Sequence, residues 1–81
     1  MFINKSRIGT NNLIGERLAE KRKETGLSQK KFADRLQLLG LDVDKNAIQR
    51  IECGKRFVTD IELVYICKAL GIDPNTLLEW N

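Results

Sequence analysis

The segment DKNAIQRIECGKR, residues 44–56, carries four long polar side chains within six positions: Lys45, Asn46, Gln49 and Arg50. Arg and Lys can donate hydrogen bonds to O6 and N7 of guanine, and Asn and Gln can pair with adenine through two hydrogen bonds. None of the four is acidic. The residue types therefore fit contact with the edges of bases in a nucleic-acid groove.

Helical geometry would gather these side chains on one face. At about 100° per residue, the polar set spans an arc from roughly 0° to 140°, and Ile48 and Ile51 fall near 300° and 240°. The two isoleucines would anchor the helix and leave the polar side chains pointing outward. Surface helices often carry such residues without any function, so the helix alone fits a solvated face equally well.

The neighbouring segments favour the functional interpretation. Ser28 is a suitable N-cap for a preceding helix, QKKFADRLQLL, in which Gln29 and the backbone N–H groups at its start could bind a phosphate. Lys55 and Arg56 follow the later helix. Two successive helices with polar starts, bracketed by basic residues, are typical of a helix-turn-helix, whose second helix enters the major groove.

Hydrophobic periodicity and capping residues predict an all-α fold of five short helices. The predicted N-caps are Asn12, Ser28, Asp44 and Thr59 or Asp60, and Pro74 would open the last helix. Phe32, Ala33, Leu36 and Leu39 would form the apolar side of the second helix, which Gly40 would end. Residues 1–11, with Lys5 and Arg7, form an N-terminal arm, and residues 12–81 form one domain.

Arg22 falls on the same side of the first helix as Ile14 and Leu18, where an aliphatic residue would be expected. A buried arginine requires an acidic partner. Glu52 lies at about 340°, at the edge of the apolar side of the third helix. We therefore predict a structural ion pair between Arg22 and Glu52, against the alternative of two unrelated surface charges.

Composition restricts the class of protein. The 81 residues contain no histidine and two cysteines, so a structural zinc site lacks ligands and the usual general base is missing. We expect no enzyme, no cofactor, no metal and no small-molecule substrate. Cys53 and Cys67 are expected to be isolated buried thiols, against the alternative of a disulfide between them. No membrane span or secretory signal is visible, which favours the cytoplasm.

Charge is unevenly distributed along the chain. Residues 1–56 hold 13 basic and 7 acidic residues, a net +6, and residues 57–81 hold one lysine and four acids, a net −3. A basic region followed by an acidic one suggests a polyanion-binding face and a separate part with another role, but charge alone fits a random scatter of surface charge equally well.

Three stretches carry a resemblance to a known family: IGERLAEKRKETGLSQKKFADRL at 14–36, NAIQRIECGKR at 46–56 and ELVYICKALGID at 62–73. Together they resemble the Cro/C1-type (XRE-like) helix-turn-helix regulators of phages and bacteria. The resemblance implies a lambda-repressor-like domain. It implies phosphate contact by Lys55 and Arg56, and by Gln29, whose position often contacts a base as well. It further implies base reading by Lys45, Asn46 and Arg50 with Gln49 adjacent, and the Arg22–Glu52 ion pair.

One feature departs from the simple motif. Between Leu36 and Asp44 the chain is longer than the usual tight turn, so we predict an extra helical turn, QLLG, followed by a looser LDV. This lengthened connection between helices 2 and 3 could alter their angle. Asp42 and Asp44 lie near the predicted DNA surface and would locally weaken the attraction of phosphates.

The expected function is sequence-specific binding of double-stranded DNA as a transcriptional repressor or autoregulator. A homodimer on a palindromic operator is expected, with Leu77, Leu78, Trp80 and Tyr65 as candidate dimer contacts. Core packing is the favoured alternative for Leu77, and it stays open for Trp80. The alternative function is a protein-interaction module, such as the antitoxin of a toxin–antitoxin pair.

Overall fold

A computed structural model describes residues 10–78 of the chain. Within that range the fold is all-α, and the five predicted helices are confirmed. They are α1 (Gly15–Glu24), α2 (Gln29–Leu39), α3 (Lys45–Glu52), α4 (Asp60–Leu70) and α5 (Pro74–Leu78). None of these helices has the length and apolar character needed to cross a membrane. The arm residues Lys5 and Arg7, and Trp80, lie outside the described residues.

Side-chain caps fix where three of the helices begin. Ser28 Oγ accepts the N–H of Lys31 at 3.1 Å, and Asp44 Oδ1 accepts the N–H of Ala47 at 2.8 Å. Thr59 caps α4 in the same way and forms a reciprocal capping box with Glu62. These contacts satisfy backbone donors that the first turn of a helix leaves unpaired, so local sequence alone determines the three starts.

The start of α1 differs from the prediction. Ile14, not Asn12, occupies the N-cap position, and its side chain makes no capping hydrogen bond. Asn12 still contributes, because its Oδ1 accepts the N–H of Gly15 at 2.8 Å from two residues further upstream. The predicted cap position was therefore wrong by two residues.

The connection between α2 and α3 is ordered by its own contacts. The predicted extra turn is confirmed, since α2 continues to Leu39 and ends at Gly40, whose φ of +110° suits glycine. Gln37 Nε2 then donates to the carbonyl of Val43 at 2.7 Å, and Val43 is buried. Leu39, predicted on the apolar side, is the last residue of α2 and is 44% exposed, so the buried side of this helix ends before it.

The core lies among α1, α2, α3 and α4, and α5 closes it against α4. Its largest fully buried side chains are Leu18, Phe32, Leu36, Ile48, Ile51, Ile66 and Leu77. Ile48 and Ile51 come from α3, and burying each contributes roughly 1.5–3 kcal/mol. Core packing therefore fixes the rotation of α3 about its own axis, which decides the side chains that it presents to solvent.

Candidate nucleic-acid interface

The outward face of α3 holds the four side chains predicted to read bases. Lys45, Asn46, Gln49 and Arg50 are all exposed. The two isoleucines on the opposite side are fully covered. Within the described residues, no side-chain hydrogen bond or ion pair uses any of the four polar groups. Their donors and acceptors therefore remain available to a ligand.

A shallow depression runs along this face, lined by Asn46, Gln49, Arg50, Cys53 and Lys55. No carboxylate lines it. Cys53 was expected to be buried, but it is exposed, because it follows α3 on the same angular sector as the polar set. Cys67 is buried as predicted, and burial, followed by the negative charge of Asp73, raises the pKa of its thiol.

Lys55 and Arg56, the predicted phosphate contacts after α3, differ in their availability. Lys55 is exposed, and its backbone N–H donates to the carbonyl of Arg50 at 2.9 Å. Arg56 is half-buried, and its Nη2 donates to Glu62 Oε2 at 2.9 Å. Burial alone would raise the pKa of Glu62, but hydrogen bonds from Arg56 and Thr59 outweigh it and lower that pKa. Arg56 therefore already has an acidic partner within the domain.

Gln29, the third predicted phosphate contact, also has an internal partner. Its side chain is half-buried, and Nε2 donates to Glu52 Oε1 at 3.0 Å. One N–H and the amide oxygen are left for another ligand. The sequence pattern gave no signal for this contact, because it joins the first residue of α2 to the last residue of α3.

The Arg22–Glu52 ion pair is present in the structure. Arg22 Nε lies 2.6 Å from Glu52 Oε2, Nη2 lies 3.0 Å from Oε1, and the two side chains are only 9% and 7% exposed. Arg22 Nη1 also donates to the carbonyl of Leu27, in the turn before α2, at 2.8 Å. Glu52 thus accepts from α1 and α2 together, and these contacts hold α3 against both helices.

Gly15 marks the closest approach of α1 to α3. A Cβ atom at this position would collide with the carbonyl oxygen of Ile51 and lie 3.1 Å from the carbonyl oxygen of Glu52. Sequence reasoning missed this role, because a glycine in the first turn of a helix gives no sign of what it packs against. Because Gly15 has no side chain, the start of α1 can pack closely against the C-terminal end of α3.

A capped helix, an ordered connection and a second helix with an outward polar face define a helix-turn-helix protein. The profile of the family described as "Helix-turn-helix domain" matches residues 13–80. Among solved structures, the chain is similar to the restriction-modification controller protein C.AhdI from Aeromonas hydrophila, with 31% identity and a TM-score of 0.70. The match covers 79% of this chain and 86% of that one. No curated protein sequence matches the chain.

The chain therefore belongs to the helix-turn-helix family, as a Cro/C1-type regulator. This confirms the resemblance inferred from the sequence and the predicted fold class. It also confirms the predicted general function, which is DNA-binding regulation of transcription.

Proposed function

We propose that α3 enters the major groove of double-stranded DNA and reads base edges with Lys45, Asn46, Gln49 and Arg50. The observation that carries this proposal is the division of α3 into two faces. Ile48 and Ile51 are fully buried, and the four polar side chains are exposed, with donors and acceptors that no other residue in 10–78 uses. In this geometry the side chains are free to pair with bases while the helix axis is held by the core.

Phosphate contacts would fix the orientation of α3 in the groove. Lys55 is the strongest candidate, because it is exposed at the end of the polar depression. Gln29 would use its remaining amide groups together with the first N–H groups of α2. Arg56 would contribute its positive charge, although Glu62 already accepts a hydrogen bond from it.

We further propose that the protein binds as a homodimer through α4. Phe57, Ile61 and Val64 are 52%, 65% and 47% exposed, an apolar surface beside the start of that helix and along it. Asp60 and Lys68 occupy the two ends of the same side. In a two-fold arrangement of antiparallel helices, Asp60 would face Lys68 of the partner subunit around the apolar centre.

The residues that the sequence suggested for the dimer contact differ in their exposure. Leu77 is fully buried, so it belongs to the core, as the favoured alternative held. Tyr65 is half-buried and Leu78 is 39% exposed. A dimer would match a palindromic operator whose half-sites are about one helical turn apart.

The regulated genes are proposed from the kind of protein that the chain resembles. C.AhdI is described as a restriction-modification controller protein. We propose that this chain represses or autoregulates its own promoter in the cytoplasm, and that genes of a restriction-modification system are the first candidates to examine. The protein would act by occupying DNA and would catalyse no reaction.

A titration tests the proposal. Binding is measured to a duplex with the sequence upstream of the protein's own gene, and to a scrambled duplex of equal composition, at several salt concentrations. A large affinity ratio and a negative slope of log K against log salt are expected. Equal affinities for the two duplexes, together with a flat slope, would overturn the proposal of sequence-specific DNA binding and favour the protein-interaction module.

A further inference from the structure

The segment that precedes α1 is hydrogen-bonded to the end of α3 and to the loop that follows it. Four hydrogen bonds form this contact, which we name the asparagine clasp. The backbone N–H of Asn11 donates to Gly54 O at 2.8 Å, and Asn11 Nδ2 donates to Lys55 O at 3.0 Å. Asn12 Nδ2 donates to Ile51 O at 3.0 Å and to Arg56 O at 2.8 Å. The sequence pattern predicts Asn11 as part of the N-terminal arm. In the structure it is part of the contact surface of the domain.

The clasp turns the carbonyl groups of this loop toward the protein. Carbonyl oxygens at a helix C-terminus carry partial negative charge and would repel a nearby phosphate. These oxygens accept hydrogen bonds from the backbone and side-chain N–H groups of Asn11 and Asn12, and the side chain of Lys55 is left exposed at the polar depression. The loop therefore presents a cation outward while its acceptors are held inward.

Gly54 allows the backbone conformation of this loop. Its φ is +77°, and a Cβ atom there would lie 2.7 Å from Cγ2 of Thr10. Thr10 thus covers the loop directly, next to Asn11. The position of the loop depends on the preceding segment as well as on α3 itself.

The side chain of Asn11 is poorly explained by stability alone. It makes one hydrogen bond, to the carbonyl oxygen of Lys55, and its own Oδ1 is buried without a partner in the described part of the chain. A buried oxygen without a hydrogen bond is unfavourable, so it offsets what the single bond contributes. Removing this side chain should leave the fold nearly as stable as before.

We propose that Asn11 is a positioning residue for DNA binding, and that it acts by holding the backbone of Lys55 where that side chain reaches a phosphate. The inference rests on the proposed function, because it requires that Lys55 contacts DNA. It adds that a residue before the first helix, 44 positions away in sequence, controls that contact.

The test is a double-mutant cycle with Asn11→Ala, Lys55→Ala and the double variant, measured on the upstream and scrambled duplexes at several salt concentrations. Asn11→Ala should weaken binding about three- to tenfold on both duplexes. Lys55→Ala should reduce the slope of log K against log salt by about one relative to the unaltered protein, and Asn11→Ala should reduce it by nearly as much. In the Lys55→Ala background it should cause no further loss. Asn75→Ala, an exposed asparagine on α5, is the matched control and should bind as the unaltered protein does.

Thermal unfolding of each variant accompanies the cycle. Asn11→Leu, similar in size and without a donor, is the second variant should Asn11→Ala fold poorly. No loss of affinity in folded Asn11 variants, or an equal loss with and without Lys55, would overturn the inference while leaving DNA binding intact. Failure of the unaltered protein to bind either duplex would instead overturn the proposed function.

Discussion

The amide of Gln29 and the carboxylate of Glu52 are joined by a hydrogen bond of 3.0 Å between Nε2 and Oε1. Gln29 begins α2 and Glu52 ends α3, so the bond links the two helices of the helix-turn-helix at a single point. The same carboxylate receives both Nε and Nη2 of Arg22 from α1. One acidic side chain therefore joins three helices, in addition to the core packing among them.

Substitution of Gln29 should reveal this link. Gln29→Glu would place a second carboxylate beside Glu52 and should destabilise the fold more than Gln29→Ala, which removes one hydrogen bond worth about 1 kcal/mol. Urea unfolding of both variants near neutral pH measures the difference. Equal stabilities would show that the Gln29 side chain points away from Glu52 in solution.

Breaking the buried ion pair should be costly. Glu52→Gln or Arg22→Met leaves one charge without its partner and should lower the free energy of unfolding by about 3–5 kcal/mol, whereas replacing both residues with Met should recover much of that loss. The exposed Lys30–Asp34 pair is the control, with Lys30→Ala expected to cost about 0–1 kcal/mol. Chemical denaturation checks the series, and similar costs for the two pairs would contradict the inferred burial.

Removal of a side chain that is proposed to read bases should reduce the protein's discrimination between DNA sequences. Arg50→Ala should cost roughly 1–3 kcal/mol of binding free energy and relax specificity at one position of the operator. Lys55→Ala should weaken binding to all sequences alike, because the phosphate contact proposed for Lys55 would carry no sequence information. Competition titrations with single-base operator variants separate the two effects. Intact discrimination in Arg50→Ala would remove that residue from the reading set.

The hydrogen bonds that Glu62 accepts from Arg56 and, in the capping box of α4, from Thr59 should make stability depend on pH. The pKa of Glu62 is lowered in the folded protein from a usual value of 4.5, so ionised Glu62 stabilises the fold above that value and this stabilisation is lost as pH falls through the lower, folded-state pKa. The stability gap between the unaltered protein and Glu62→Gln should therefore be greatest near neutral pH and shrink in acid. Thermal unfolding of the two proteins between acidic and neutral pH tests this prediction. A stability gap that stays constant with pH would contradict it.

The proposed dimer surface can be tested separately from DNA contact. Ile61→Glu or Val64→Glu should convert the dimer into monomers, because each places a charge in the apolar centre of the proposed interface. Leu38→Glu is the matched control, since Leu38 is an 89% exposed apolar residue at the far end of α2. Sedimentation measures the oligomeric state. Loss of the dimer in all three variants, or in none, would rule out α4 as the interface.

Features with local causes were predictable from the sequence. Ser28, Asp44 and Thr59 cap their helices through contacts three residues away, and the angular spacing of Ile48 and Ile51 identified the buried side of α3. The Arg22–Glu52 ion pair was a long-range contact that the sequence did predict, because an arginine on the apolar side of a helix needs an acidic partner.

The contacts that the sequence did not reveal join residues far apart. Asn12 donates to carbonyls 39 and 44 positions away, and Gln29 donates to a carboxylate 23 positions away. Backbone carbonyls have no sequence signature, and an amide side chain suits many environments. The packing of Gly15 against Ile51 was hidden for the same reason, since it depends on how close two helices come.

The four outward side chains of α3 make no side-chain hydrogen bond or ion pair to the rest of residues 10–78, whereas the isoleucines, the ion pair and the clasp hold the helix in place. Exposed substitutions of this kind usually change stability by less than about 0.5 kcal/mol. If these side chains read bases as proposed, mutations at the four positions would redirect the protein to a new DNA sequence without unfolding it. Such separation would let related regulators diverge in target while inheriting the same scaffold.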